Sequence, residues 1–333
     1  NQFFNEINKI CKNELLFGFN ELKHDLINKI YRTISIVIIL QHVIQKMKLK
    51  SIIVSPTGQI FDNISLEIVK KLNINSFSFV PSPSDPYPVF ADWFHAKKLF
   101  VDGKQGMELL NELNYDPKKT IITGSTKFDH LKTLDSINSK KILEKEHKID
   151  SSKKLITLVL SRWRKNDELW ITKIINFCNN NNFEIIIKIH PYYKLNQIDT
   201  NEKYIKILQE NCKNKKFLIS IDIDIPILLS ASDLVITEQS TLGLDVIMLE
   251  KDLIMVKFSD FNMDKAVKFY EFEAAIQIMD YSILEKTILE IFEGKKHVKE
   301  LEKGREKVVE YYNFGNDGNA SERIYQYLME ESK

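Results

Sequence analysis

The sequence predicts an α/β protein of two domains, each a doubly wound parallel sheet. Three observations predict it. Short apolar, β-branched runs alternate with longer helical patterns from Ile52 to Thr123, and again from Leu155 to Lys257. A polar, lysine-rich stretch at 135–153 separates the two series. The length of 333 residues suits two domains, at about 150 residues each. The expected layout is a first domain at 1–134 with a helical start at 1–50, a linker at 135–153, a second domain at 154–313, and a C-terminal helix at 314–333 that packs toward the first domain.

In the first 50 residues, Phe3, Ile7, Ile10 and Cys11, then Leu26, Ile27, Ile30, Ile34 and Ile38, recur at helical spacing. The lysines between them read as a solvated face, and a basic helix on a membrane surface is the alternative. Ile52–Val54 is an expected strand, followed by Ser-Pro-Thr-Gly and a helix from Asn63 to Leu72. Phe77–Val80 is the next strand. Pro81, Pro83, Pro86 and Pro88, half of the eight prolines, stiffen one loop at a strand end, a usual place for a binding wall. Leu99–Val101 and Thr120–Thr123 are further strands, with a helix at 105–113 between them. Gly124 closes the last, and a helix runs to Leu131. Four strands are fewer than a complete unit, and the chain starts at Asn1 rather than Met. Both suggest an N-terminal segment ahead of it.

In the second series the expected strands are 155–160, 184–189, 217–219, 233–237 and 252–257. The expected helices are 167–179, 201–212, 225–230 and 241–249, then 282–293, 296–312 and 319–330. Composition limits the partners. The hydrophobic share of 44% is ample for two cores, and a formal net charge of +1 gives no reason to expect nucleic acid. Cys11, Cys178 and Cys212 are scattered without metal-site spacing, as reduced cytosolic thiols are. The longest apolar run, Ile34–Leu40, is too short to span a bilayer, and no signal peptide is visible.

In an open parallel sheet, ligands bind at the carboxyl ends of the strands. Four turns fall there. Ser161, Arg162, Arg164 and Lys165 follow strand 155–160, and guanidinium forks match phosphate oxygens. His190 and Pro191 follow strand 184–189. A histidine held by a rigid proline can donate to a phosphate oxygen or protonate a leaving group. Lys188 reads as packed or paired on the other side of that strand. Glu238, Gln239, Ser240, Thr241 and Asp245 follow strand 233–237. Ser240 or Thr241 caps the next helix, whose first amides favour phosphate, while Glu238 or Asp245 can accept ribose hydroxyls. Gly124, Ser125 and Asp129 mark the last turn of the first series.

Four stretches, taken in order, resemble a known architecture: Ile121-Ile122-Thr123-Gly124-Ser125-Thr126-Lys127-Phe128-Asp129, Lys188-Ile189-His190-Pro191, Ser232-Asp233-Leu234-Val235-Ile236-Thr237-Glu238-Gln239-Ser240-Thr241, and Asp317-Gly318-Asn319-Ala320-Ser321-Glu322-Arg323-Ile324. Together they cover most of 98–330. They look like the GT-B glycosyltransferase architecture of two Rossmann-like domains facing a cleft. The branch is that of non-hydrolysing UDP-N-acetylglucosamine 2-epimerases, CDP-glycerol glycerophosphotransferases and capsule or lipopolysaccharide glycosyltransferases. There are departures. Gln239-Ser240-Thr241 stands where epimerases have Ser-Gly-Gly. Trp93-Phe94-His95 lacks the glycine of the glycerophosphotransferase Trp-His-Gly.

The resemblance implies a cytoplasmic transferase, peripheral to the inner face of the membrane, acting in cell-surface polysaccharide synthesis. Its substrate would be a nucleotide-activated sugar or CDP-glycerol, linked through CMP, CDP or UDP, and its acceptor a glycan or lipid-linked glycan. The second domain would bind the nucleotide. The first would supply acceptor contacts and a base, for which Asp85, Asp92 and His95 are candidates. His190 and the Ser240/Thr241 turn would neutralise the leaving phosphate. No cofactor or metal is called for, because Asp222-Ile223-Asp224 has Asp-x-Asp spacing but begins a helix. The alternatives are a UDP-sugar 2-epimerase and a catalytically silent sugar-nucleotide-binding subunit.

Overall fold

The computed structural model describes residues 19–54, 60–80, 96–160, 167–189, 198–238, 240–258, 268–269, 271–294 and 298–331. The chain divides into two compact units. One comprises residues 1–79, 87–100 and 329–333, the other 80–86 and 101–328.

The first unit opens with α1, Phe19–Met47. Its inner side supplies Val37, Leu40 and Ile44, which pack on Ile64, Ile68 and Val69 of α2, Ile60–Lys71. Its outer side leaves Tyr31, Ile34, Ile38 and Ile39 exposed. Residues 27–47 are long and apolar enough to cross a membrane by length and composition. The longest apolar run missed this, because Gln41 and His42 interrupt the run but not the helix. Strand β1, Ser51–Val54, pairs in parallel with β2, Asn75–Val80. Strand β3 is Lys98–Val101, and the sheet order is β1-β2-β3-β4, in which β4, Thr120–Ile122, belongs to the residues of the second unit. Phe77 and Phe100 stack at 5.6 Å between centroids.

The second unit adds α3, Lys104–Glu112, a 3-10 segment at Thr126–Thr133, and α4, Ser136–His147. Next come β5 (Leu155–Leu160), α5 (Asp167–Asn180), β6 (Glu184–Ile189), α6 (Ile198–Asn211), β7 (Leu218–Ser220) and α7 (Ile225–Ala231). Then follow β8 (Leu234–Glu238), α8 (Leu242–Met248), β9 (Asp252–Val256), β10 (Ile276–Ile278), α9 (Leu284–Phe292), α10 (Val298–Tyr312) and α11 (Ala320–Glu331). The sheet order is β10-β9-β8-β5-β6-β7, and neighbouring strands all run parallel.

Every residue of β5, β6 and β8 is buried, as helices on both faces require. The two-residue period sorts their side chains. Ile156, Leu158 and Leu160, with Ile185, Ile187 and Ile189, meet α5 and α9. Leu155 and Ile186 meet Leu143 of α4 and Leu228 of α7, while Val159 and Val235 meet α8 and α10. Much of the stretch between the two β/α series is thus a helix seated on the second sheet. Asp233 holds it there, accepting from Lys140 Nζ at 2.7 Å and from the Leu155 amide at 2.8 Å. Burial pushes the Asp233 carboxyl up, and these donors outweigh it, leaving it below its ordinary value. The three-residue strand β10 carries no alternation long enough to have been expected from the sequence.

Candidate functional site

A cavity of about 400 Å³ opens within the second unit, lined by Lys127, His130, Val159, Leu160, Lys188, Ile189, Ile225, Pro226, Thr237, Ser240, Thr241, Leu242 and Asp245. Its size falls in the range of small-molecule sites, about 300–1,000 Å³. The carboxyl ends of β5, β6 and β8 form its floor, as the doubly wound rule requires. Leu160, Ile189 and Thr237 are at or next to the last residues of those strands. Thr237 Oγ1 donates to the Val159 carbonyl at 3.2 Å and ties β8 to β5 there.

One wall is the turn after β8. Thr241 takes the cap position of α8, but its side chain makes no cap bond. Ser240 does the capping: its Oγ accepts from the Leu242 amide at 3.2 Å. Gly243 lets the helix settle, since a Cβ there would lie 2.5 Å from the Phe269 ring. Asp245, in the first turn of α8, faces the cavity.

A second wall is the 3-10 segment. Lys127 Nζ lies 2.7 Å from Asp245 Oδ2 and 5.0 Å from the Phe128 ring centre. The short helix α7 supplies Ile225 and Pro226, its start fixed by Asp224, whose Oδ1 accepts from the Ile227 amide at 3.0 Å. Asp222 and Asp224 thus stand at a helix start. Among the described residues no cluster of His, Cys, Asp or Glu could hold a metal. Lys188 is 2% exposed and donates to the Ile221 carbonyl. It shares a face of β6 with Ile186, the face that meets α4 and α7, so it lies on the cavity side. The sequence reading placed it on the other side.

The expected site residues divide into four groups. Ser240, Thr241 and Asp245 come together in the cavity. Glu238 is buried at the end of β8 and is not on the cavity wall. Gly124 and Ser125 serve a different contact. Gly124 has φ +79°, and a Cβ there would meet the Phe314 carbonyl oxygen at 2.6 Å, while the Ser125 amide donates to Asn313 Oδ1 at 2.8 Å. Asp129 caps α11, accepting from the Ala320 and Ser321 amides at 3.0 and 2.7 Å. This turn anchors the C-terminal segment. Asp85, Asp92, His95, Ser161, Arg162, Arg164, Lys165, His190, Pro191 and Gln239 lie outside the described residues.

Lys127, His130, Ile225 and Pro226 were not anticipated as cavity residues. Lys127 sat inside a stretch that resembled the GT-B pattern, and a cation three residues past a turn glycine was the available signal. The cavity can present cationic and hydroxyl groups to an anion and an apolar wall, Val159, Leu160, Ile225 and Leu242, to a flat ring.

Comparison with known proteins gives the family and the fold. Residues 107–330 match the family of CDP-glycerol:poly(glycerophosphate) glycerophosphotransferases. No curated protein matches the sequence. Among solved structures, a putative UDP-N-acetylglucosamine 2-epimerase from Listeria monocytogenes aligns with TM-score 0.64 and 18% identity, over 89% of this chain and 78% of that one. The UDP-GlcNAc 2-epimerase from Neisseria meningitidis, solved with UDP-GlcNAc bound, aligns with TM-score 0.57 and 15% identity, over 90% and 81%. A glycosyltransferase from Rickettsia africae aligns with TM-score 0.57 and 14% identity, over 90% and 82%. The fold is therefore GT-B, as the motifs implied.

Proposed function

The chain belongs to the CDP-glycerol:poly(glycerophosphate) glycerophosphotransferase family, and from that membership we propose that this transferase takes a nucleotide-activated donor of the CDP-glycerol class. It passes the activated group to a hydroxyl of a glycan or lipid-linked acceptor in cell-surface polymer synthesis, on the cytoplasmic side of the membrane. In the reaction the acceptor oxygen attacks the phosphorus bearing glycerol. The bond from that phosphorus to the CMP oxygen breaks, CMP departs, and the acceptor proton passes to a base, sought among Asp85, Asp92 and His95.

The observation that carries the reading is the cavity at the strand ends. Lys127, Lys188, Ser240 and Thr241 bring two cations and two hydroxyls to its lining. Such groups stabilise the charge that grows on a departing nucleotide, and stabilisation that grows toward the transition state raises turnover. Arg162 and His190 follow β5 and β6, two strands of the cavity floor, and are assigned to the same phosphate. UDP-GlcNAc in the Neisseria structure supports a nucleotide-linked ligand of this general kind.

A thermal-shift panel of CMP, CDP, UDP, GDP, CDP-glycerol and UDP-sugars tests the proposal. Ligand binding stabilises by mass action, about 2.7 kcal/mol at a hundred times the dissociation constant. Cytidine compounds should raise the melting temperature most, and CMP should appear when CDP-glycerol and acceptor are supplied together. A response to UDP-GlcNAc with epimerised product and no acceptor requirement would replace this reading with the epimerase one.

A further inference from the structure

We propose that Lys127 and Asp245 are a partner-exchange pair, which a ribonucleotide separates by giving each a better partner. The inference rests on the nucleotide reading of the cavity. The two side chains hold each other at 2.7 Å in the lining of the cavity, one from the 3-10 segment and one from the first turn of α8. Their exposures differ: the Lys127 side chain is 58% exposed and that of Asp245 10%. Water and salt therefore screen the ammonium, and releasing it costs little. The carboxylate is the opposite case. Mostly buried, it needs a donor at all times, because an unpaired buried charge is costly.

A pyrimidine nucleotide brings both replacements. Its ribose hydroxyls donate to the Asp245 oxygens, which accept up to two hydrogen bonds each. Its phosphate receives the ammonium, which swings on a flexible four-carbon stem. A nucleoside supplies hydroxyls but no anion, so Lys127 loses its partner without gaining another. A dideoxynucleotide supplies the anion but leaves Asp245 unpaired. The pair thus selects ligands that carry both groups, and it keeps the buried carboxylate neutralised between turnovers. Lys188 cannot take this part, since it is buried and holds a backbone carbonyl.

The test is titration calorimetry on the full chain at pH 8 with CDP, UDP, cytidine and uridine, comparing wild type with Lys127→Met. Methionine keeps the length of the stem and removes the charge. Exchange predicts shifts of opposite sign. The diphosphates should bind about 10-fold more weakly, having lost one charge-assisted contact. The nucleosides should bind about 3-fold more tightly, because no ion pair has to open. Asp245→Asn provides the second check, and should abolish the preference for CDP over 2′,3′-dideoxy-CDP. Shifts of the same sign for both ligand classes in Lys127→Met, or no shift for either, would overturn the exchange and leave the nucleotide site standing. Wild-type protein that binds none of the four ligands would remove the nucleotide reading and this inference with it.

Discussion

Lys188 and Lys127 line one cavity and are held in opposite ways. Lys188 sits near the end of β6, an interior strand of the sheet, 2% exposed, with its ammonium on the Ile221 carbonyl. Lys127 sits on the 3-10 segment with its side chain 58% exposed and an ion pair to Asp245. The first is fixed by packing on every side. The second is held by an ion pair that salt can screen and by the face of the Phe128 ring. Burial decides which charge is part of the frame and which is able to move, although the two residues are chemically identical.

Four substitutions break or sharpen that comparison. Ile187, next to Lys188 and fully buried against α5 and α9, sets the upper end of the scale. Ile187→Ala should cost about 2–5 kcal/mol, because a cavity is left where the sheet cannot collapse. Urea unfolding measures it, and a loss under 1 kcal/mol would mean that this part of the sheet is loosely packed. Lys188→Met removes the cation and leaves the Ile221 carbonyl without this donor. The expected loss is about 1–3 kcal/mol, with weaker donor binding. Full stability with full affinity would show that this ammonium is not part of the frame.

Lys127→Met should cost about 0–1 kcal/mol, the range of exposed ion pairs. A loss as large as that of Lys188→Met would erase the contrast between them. The smallest effect is expected at Asp317. Arg323 grips its carboxylate with Nη1 at 2.8 and 3.0 Å and, with the Asn319 donors, lowers it from 3.8 to about 2. A carboxyl whose folded value is depressed contributes above its unfolded value, about 3.9, and that contribution fades as pH falls toward 2. Wild type and Asp317→Asn should therefore differ in urea midpoint at neutral pH and converge between pH 4 and 2. A difference that persists at pH 2 would rule out titration of Asp317 as its source.

The second sheet was legible in the sequence because its strands are continuous apolar runs: Leu155–Leu160 is Leu-Ile-Thr-Leu-Val-Leu, and every residue is buried. The place of the cavity was legible because a doubly wound sheet leaves room for one at its carboxyl edge, and Ser240, Thr241 and Asp245 line it. The side of Lys188 was misread, since the sequence shows alternation along a strand but not which helices cover each face. The roles of Gly124, Ser125 and Asp129 were hidden for another reason. Their partners, Asn313, Phe314, Ala320 and Ser321, lie almost two hundred residues further along the chain. Turn chemistry reads the same whether it receives a phosphate or a distant helix start. Lys127 was visible as a residue, but its partner Asp245 is 118 positions away, and no local pattern joins them.

The central claim is that the cavity at the carboxyl ends of β5, β6 and β8 receives the nucleotide. Amide hydrogen exchange on the full chain, with and without saturating CDP, addresses it most directly, because it reports where the ligand acts as well as whether it binds. The account predicts slowed exchange in 240–245 and 125–131, the two walls that carry Ser240, Thr241, Asp245 and Lys127. Saturating CDP binding with both segments unchanged, and protection confined to residues 19–79, would contradict it.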